Sequence, residues 1–282
     1  MHKISDPKEM QRYSLEEKRQ GHTVGLVPTM GYFHAGHLSL MRRARQECDR
    51  VVVSLFVNPL QFGPQEDLAR YPRDLGRDAA LAAQEGVDVL FLPEVEAIYP
   101  PGYATYVEVT GLTEPLCGRY RPGHFRGVTT VVAKLFNLVQ PDVAYFGQKD
   151  YQQAVVVARM TADLGWPLRL VICPTVREAD GLAASSRNVY LNAEERRQAV
   201  CLYQALEAGK QAIAAGARRA QEVVRVMAEV IARYPLARIE YAEVRRAGDL
   251  ATMEELRGEV VLALAVWLGQ TRLIDNAVVE VG

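Results

Sequence analysis

No apolar stretch in this 282-residue chain is long enough to cross a bilayer. The run Val260–Leu268 falls well short of the ~20 residues that a spanning helix needs. Charge of one sign is missing too, with 33 Lys and Arg against 34 Asp and Glu. That balance gives no electrostatic case for nucleic acid or an anionic membrane, so a phosphate-bearing ligand must be held by a local cluster. Cysteine is sparse and unpatterned: Cys48, Cys117, Cys173 and Cys201 form no C-x-x-C, which argues against a zinc site or a disulfide framework. Met1–Asp6 lacks the basic-then-apolar run of a signal peptide, so a reducing cytoplasm is the expected compartment. No G-x-G-x-x-G follows any expected strand and no G-x-x-x-x-G-K-[ST] occurs, which removes the usual dehydrogenase and P-loop kinase readings. Repeats and low-complexity segments are absent as well.

What is present is an ordinary globular composition, 49% hydrophobic and 24% charged, at a length that suggests two domains. The first part alternates β-branched runs with helical patterns, the signature of βαβ units and a parallel sheet. Strands are expected at Thr23–Val27, Val51–Val57, Val87–Leu92, Val143–Phe146 and Leu168–Cys173, with a further one at Tyr103–Val109. Helices are expected at Leu38–Gln46, Leu75–Gln84, Val128–Val139 and Asp150–Leu164. Beyond Arg187 the pattern changes. Asn192 and Glu195 read as a capping box opening a helix at Ala193, and a second helix covers Ala220–Arg233. Strands at Arg238–Val244, Val260–Val266 and Ala277–Val281 read as a small sheet, with a helix from Thr252 between them. The expected fold class is α/β: a Rossmann-like doubly wound parallel sheet over residues 1–177, with a second, smaller α+β domain over 178–282.

Four polar segments marked by Gly or Pro each follow a predicted parallel strand: Pro28–His37, Asn58–Phe62, Gly147–Asp150 and Val176–Asn188. The carboxyl ends of strands in an open α/β sheet form its ligand crevice, so all four are expected to converge on one site. In the first, Gly36 allows a ligand close to the backbone, and the helix behind it offers unpaired N–H groups to an anion. His34 and His37 are three apart, so both imidazoles can face one phosphate. Two ordinary capping histidines are the plainer reading of the same pair.

Pro28–His37 resembles the H-x-G-H signature of the nucleotidyltransferase superfamily that includes class I aminoacyl-tRNA synthetases. The longer string Pro28-Thr29-Met30-Gly31-Tyr32-Phe33-His34-Ala35-Gly36-His37-Leu38-Ser39-Leu40 is similar to the pantothenate synthetase family in particular. The similarity continues in Phe56–Phe62, Tyr71–Arg73, Arg121–Val128, Phe146–Gln153 and Arg177–Asn188, and so covers most of residues 23–192. The resemblance implies a ligase that joins pantoate to β-alanine with ATP through pantoyl adenylate, with Mg²⁺ arriving on the nucleotide and a homodimeric assembly.

By that resemblance His37 leads the catalytic set with His34 and Lys149. Met30, Gly31, Tyr32, Phe33, His34, Ala35, Gly36 and His37 line the nucleotide site, with Gly147, Gln148, Lys149 and Asp150. Val176 and the group Ala184, Ser185, Ser186 and Arg187 complete it. Gln61 and Gln153 hold pantoate, and Gln61 holds β-alanine as well. Asp150 is also open to plain readings as a helix cap, a ribose partner or a neighbour of Mg²⁺, and Lys149 to that of a surface cation. The family pattern has Met where Ala184 stands, which removes an apolar contact on the nucleotide. Arg121–Gly127 reads equally as a phosphate flap or a surface turn, and Asp67, Asp74 and Asp78 read as solvated charges rather than a metal set. A dinucleotide-forming relative and a non-catalytic nucleotide-binding regulator are the rival functions.

Overall fold

The computed structural model describes all 282 residues. The chain begins with β1 (His2–Ile4), α1 (Pro7–Arg19), β2 (Val24–Thr29), α2 (Ala35–Glu47), β3 (Arg50–Leu55), α3 (Leu75–Gln84) and β4 (Val89–Phe91). Two one-turn helices follow, α4 (Val95–Ile98) and α5 (Cys117–Tyr120), and then α6 (His124–Val139), β5 (Val143–Gly147), α7 (Tyr151–Asp163) and β6 (Arg169–Cys173). The remainder is α8 (Ala193–Gln198), α9 (Cys201–Ala214), α10 (Ala220–Ile231), β7 (Ala237–Arg246), β8 (Gly258–Leu268) and β9 (Thr271–Val281).

The first six strands form one parallel sheet in the order β1-β4-β3-β2-β5-β6. From β2 the chain winds outward through β3 and β4, then crosses over α6 to return as β5 on the other side. The strand order therefore reverses between β2 and β5, and that is where an open α/β sheet forms its crevice. Side chains alternate as the pleat requires. Val24, Leu26, Val52, Ala144 and Phe146 enter one core with α6 and α7, whereas Val27, Val51, Val53, Val143 and Tyr145 enter the other with α2. Burial on both faces explains why these strands read as continuous apolar runs.

The second sheet is antiparallel, β7-β8-β9. Val260, Leu262, Leu264 and Val266 of β8 pack on α9 and α10, and Val261, Ala263 and Ala265 join the core of the first sheet. The long apolar run of the sequence is thus one strand covered on both faces. No helix is long and apolar enough to cross a membrane.

Two predicted elements do not form. Tyr103–Val109 is not a strand; instead Thr130 Oγ1 accepts from the Val107 N–H at 3.1 Å, and Thr129 Oγ1 donates to the Val107 carbonyl at 2.6 Å. Side chains of α6 have taken the bonds that a neighbouring strand would supply. No helix starts at Thr252, because the segment is pinched between Leu250, at φ 57°, and the start of β8 at Gly258. Thr252 and Glu255 form isolated bridges to Arg245 and Arg219 instead, and so short a segment cannot offset the cost of helix nucleation. Conversely, β1 and α1 lie outside the expected elements. Asp6 caps α1 by accepting from the Glu9 N–H at 2.7 Å, with Pro7 at the first helical position.

Candidate active site

The four polar segments do meet, because β3, β2, β5 and β6 are adjacent and parallel and each segment leaves the same end of its strand. Between them lies a cleft of three connected lobes. One, of 180 Å³, is lined by Met30, Gln61, Tyr71, His124 and the apolar wall Val128, Val131 and Val132. The second, of 110 Å³, is lined by Gly36, Gly147, Thr175, Val176 and Ala184. His34, His37, Lys149, Asp150 and Gln153 line both and so mark their junction. The third, of 370 Å³, opens toward the second sheet and is walled by Lys149, Asp150, Asp67, Arg187, Glu240 and Arg272.

The two histidines are capping residues and cleft residues at once. His34 is the N-cap of α2, and its Nδ1 accepts from the Gly36 N–H at 3.1 Å. His37 Nδ1 accepts from the His34 N–H at 3.3 Å, closing a reciprocal capping box with the rings 4.0 Å apart. With both Nδ1 atoms accepting, the hydrogen-bond network assigns each neutral imidazole its proton at Nε2. Burial, with Lys149 and Arg77 nearby, lowers His34 to about 4, and burial and the His34 neighbour push His37 well below its usual range. At neutral pH the pair therefore supplies N–H donors rather than positive charge.

Positive charge at the junction comes from Lys149. Its ammonium lies 3.5 Å from Asp150, the only carboxylate paired with it. Other cleft cations are bound more tightly: Arg187 is bidentate to Asp67 at 2.8 and 2.9 Å, and Arg121 reaches Glu66 at 2.5 Å. Asp67 is therefore no solvated surface charge. Nor is Asp78, which is buried and accepts from the Tyr32 and Phe33 N–H groups at 2.6 and 2.7 Å. Asp74 caps α3 through the Arg77 N–H. No group of three or more His, Cys, Asp or Glu is arranged to hold a metal.

Gln61 is held by a small network. Asn58 donates through Nδ2 to Gln61 Oε1 at 3.1 Å and to the Gly127 carbonyl at 3.0 Å, which directs the Gln61 amide N–H₂ toward Met30 Sδ. The Gln61 carbonyl accepts from His124 Nδ1 and Arg121. Gly127 has to be glycine because a Cβ there would lie 2.3 Å from the Leu60 carbonyl oxygen. Arg121–Gly127 is thus no loose turn: it opens α6 and buttresses Gln61, and its Arg121 also lines the first and third lobes. The Gln153 side chain makes no hydrogen bond within the protein and lines both of the first two lobes.

Other predicted residues hold the cleft without lining these lobes: Gly31, Tyr32, Phe33, Ala35 and Gln148. Phe33 is fully buried against His37, and the Tyr32 carbonyl accepts from Ser186 Oγ at 3.1 Å. Ser185 caps the turn Ser186–Tyr190. Asp150 sits at the N-cap position of α7 but makes no capping bond, so the capping reading of that residue fails. The Val176 carbonyl accepts from Ala184, while its N–H meets no protein acceptor. Sequence reading placed Asn58 and His124 in marked segments without giving either a role, and missed Asp275 and Asn276, whose contacts are made about a hundred residues away along the chain.

A model of the pantoate-beta-alanine ligase family matches residues 2–278. The chain belongs to that family. It is accordingly a ligase that forms a carbon–nitrogen bond. It is 60% identical over 272 residues to the pantothenate synthetase of Moorella thermoacetica, covering 96% of each chain. It is 57% identical over 281 residues to that of Heliobacterium modesticaldum, covering 100% of each. Among solved structures, the pantothenate synthetase of Thermus thermophilus superposes with a TM-score of 0.94 at 49% identity, over 98% of this chain and 99% of that one. The pantoate-beta-alanine ligase of Francisella tularensis, complexed with beta-gamma ATP and beta-alanine, gives 0.81 at 33% identity, over 98% and 97%. The coverage extends through the C-terminal part, where the sequence strings alone carried little resemblance.

Proposed function

We propose that this ligase condenses pantoate with β-alanine using ATP, giving pantothenate, AMP and pyrophosphate. One observation carries the assignment of the site: neutral donors from His34 and His37 and the ammonium of Lys149 stand at the joint of two lobes of different character. The lobe with Gln61 and the Val128–Val132 wall suits a branched hydroxy acid, since it pairs amide groups with apolar surface. The lobe with Val176 suits adenine, whose ring nitrogen can accept the free Val176 N–H. The phosphates then lie at the junction, against the N-terminus of α2.

In the first step a pantoate carboxylate oxygen attacks the α-phosphorus, the bond to the bridging oxygen breaks, and pyrophosphate leaves. Attack of one anion on another needs fixed donors aimed at the charge that develops, which His37 Nε2, His34 Nε2 and Lys149 are placed to supply. In the second step the β-alanine amine attacks the acyl carbon, AMP departs with the former carboxylate oxygen, and the nitrogen loses a proton. Gln153 and Gln61 orient pantoate from opposite sides. Mg²⁺ fits this site as a companion of the nucleotide phosphates that keeps most of its water, because the protein offers only Asp150 and no carboxylate cage at the junction. The proposed division into 1–177 and 178–282 places His34, His37 and Lys149 in the first part and the Ser185–Arg187 turn at the start of the second. A cytoplasmic homodimer is the assembly proposed.

The test is isotope exchange. ATP and labelled pyrophosphate should exchange with pantoate present and β-alanine absent, and oxygen-18 from the pantoate carboxylate should appear in AMP. Release of ADP, with the label in inorganic phosphate, would overturn the adenylate assignment.

A further inference from the structure

The turn that carries Lys149 has no side-chain cap on the helix that follows it. Gln148–Asp150 forms one 3-10 turn between β5 and α7, and Asp150 makes no capping bond to α7. Side-chain bonds to it come instead from β9, more than a hundred residues later. Asn276 Nδ2 donates to the Gln148 carbonyl and to the Lys149 carbonyl, both at 2.9 Å. The preceding Asp275 is buried; its Oδ1 accepts from the Asn276 N–H at 2.8 Å and from Arg177 at 3.0 Å, and its Oδ2 accepts from Arg177 at 2.6 Å.

These two residues sit in the middle of β9, not at a loose end. Asp275 faces Leu264 and Asn276 faces Ala263 in a ladder that runs unbroken from Thr271 to Val281. Asn276 is 4% exposed, and its Oδ1 meets no donor in the protein. A buried amide with an orphaned oxygen is costly where an apolar side chain of the same size would suit its neighbours. Within the protein, the side-chain bonds of that amide are the two to the Lys149 turn, and they give a reason for its presence there. The partner segment is equally telling, because Arg177 follows directly on Val176. Asp275 and Asn276 therefore tie both strand ends of the nucleotide cleft to one rigid strand of the second sheet.

We propose that Asn276, braced by Asp275 and Arg177, is a positioning residue for Lys149, so that the C-terminal sheet sets where the phosphate-facing cation stands. The proposal rests on the reading of Lys149 given above. It assigns the second sheet a part in the first chemical step, beyond covering the site.

The test is a double-mutant cycle on the two half-reactions, with Asn276→Leu, Lys149→Ala and the double variant. Asn276→Leu should lower pantoate-dependent ATP–pyrophosphate exchange by about 10²-fold, the effect expected of a misplacement near 1 Å. Aminolysis of preformed pantoyl adenylate by β-alanine should stay close to the wild-type rate. In the Lys149→Ala background the same substitution should cost little more, since a residue acting through Lys149 has nothing left to position. Additive losses, or equal losses in both half-reactions, would overturn the proposal and leave Asn276 a fold residue. Should Lys149→Ala alone exchange at the wild-type rate, the assignment of Lys149 falls, and the positioning role falls with it; that outcome is read from the single variant. If Asn276→Leu does not melt like the wild type, Asn276→Ser, which is smaller and keeps one donor, takes its place in the cycle.

Discussion

Gly36→Ala should separate activity from stability at this site. Glycine is not required at position 36 for its backbone angle, because the residue lies in the first turn of α2 at an ordinary helical φ. It is required because the His34 imidazole folds over it. A Cβ at position 36 would stand 2.9 Å from His34 Cε1 and 3.0 Å from Nδ1, so the ring has to move by about 0.5 Å to regain ordinary van der Waals contact near 3.5–4.0 Å. The ring is the mobile end of a side chain, and moving it is cheap for the fold. Two opposing terms then nearly cancel: alanine gains up to about 1 kcal/mol in helix propensity, and the loosened Gly36 N–H bond to His34 loses about 0.5–1.5 kcal/mol. Stability should stay within about 1 kcal/mol, a melting shift of no more than about 2–4 °C for a chain of this size. Activity has no such compensation. His34 Nε2 leaves its line to the junction, and His37, which receives the His34 N–H, is disturbed with it. Pantoate-dependent ATP–pyrophosphate exchange should fall by about 10-fold to 10²-fold. Exchange at the wild-type rate with an unchanged melting curve would refute the argument, since neither the ring position nor its coupling to His37 would then matter.

His37→Ala should lower turnover by about 10²–10³, the usual effect of deleting one transition-state donor, with a small drop in melting temperature from the lost capping bond; a fully active variant would remove His37 from the mechanism. Ala184→Met should keep the fold and lower the Michaelis constant for ATP modestly, because at most about 1.5–3 kcal/mol of apolar burial is available beside the Val176 lobe. A weaker grip on ATP would mean that the lobe is shaped around alanine. Denaturation midpoints should fall as pH drops from about 6.5 to about 4. The unfolded chain takes up protons on its histidines near 6.5, whereas burial first, then neighbouring cations, hold His34 at about 4 and His124 at about 3. A slope unchanged in His34→Gln would deny His34 any part in it.

The fold was legible where one signal sufficed. Runs such as Val51–Val53 could only be strands covered on both faces, and the polar segments behind them marked the crevice. The site was legible where chemistry travels with spacing, as in His34-x-Gly36-His37. What escaped was pairing between distant residues. Nothing in the local sequence says that Asp78 reaches the Tyr32 and Phe33 N–H groups, or that Asp67 holds Arg187, and both carboxylates read as surface charges for that reason. The helix expected from Thr252 shows the opposite error, a capping pattern with too few residues behind it. Asp6-Pro7 opening α1 is a readable cap, but the apolar periodicity after it is weak, with Met10 and Ser14 its buried positions.

The state of the cleft's charges bears on turnover. Arg187 and Arg121 are neutralised by Asp67 and Glu66, and burial keeps His34 and His37 uncharged, so Lys149 stands as the one loosely paired cation at the junction. In the proposed site the remaining attraction for phosphate would come from dipoles: two Nε2–H groups and the N-termini of α2 and α7, each 13 residues long and each starting at the junction. Fixed dipoles stabilise charge that develops at a defined point, and they do so without reorganising during the step. They also fall off faster with distance than full charges. A site built from one loosely paired cation and several dipoles would therefore favour the transferring phosphorus over the leaving pyrophosphate. In the proposed two-step reaction that difference matters, because pyrophosphate and then AMP would both have to leave the same pocket before the next ATP enters.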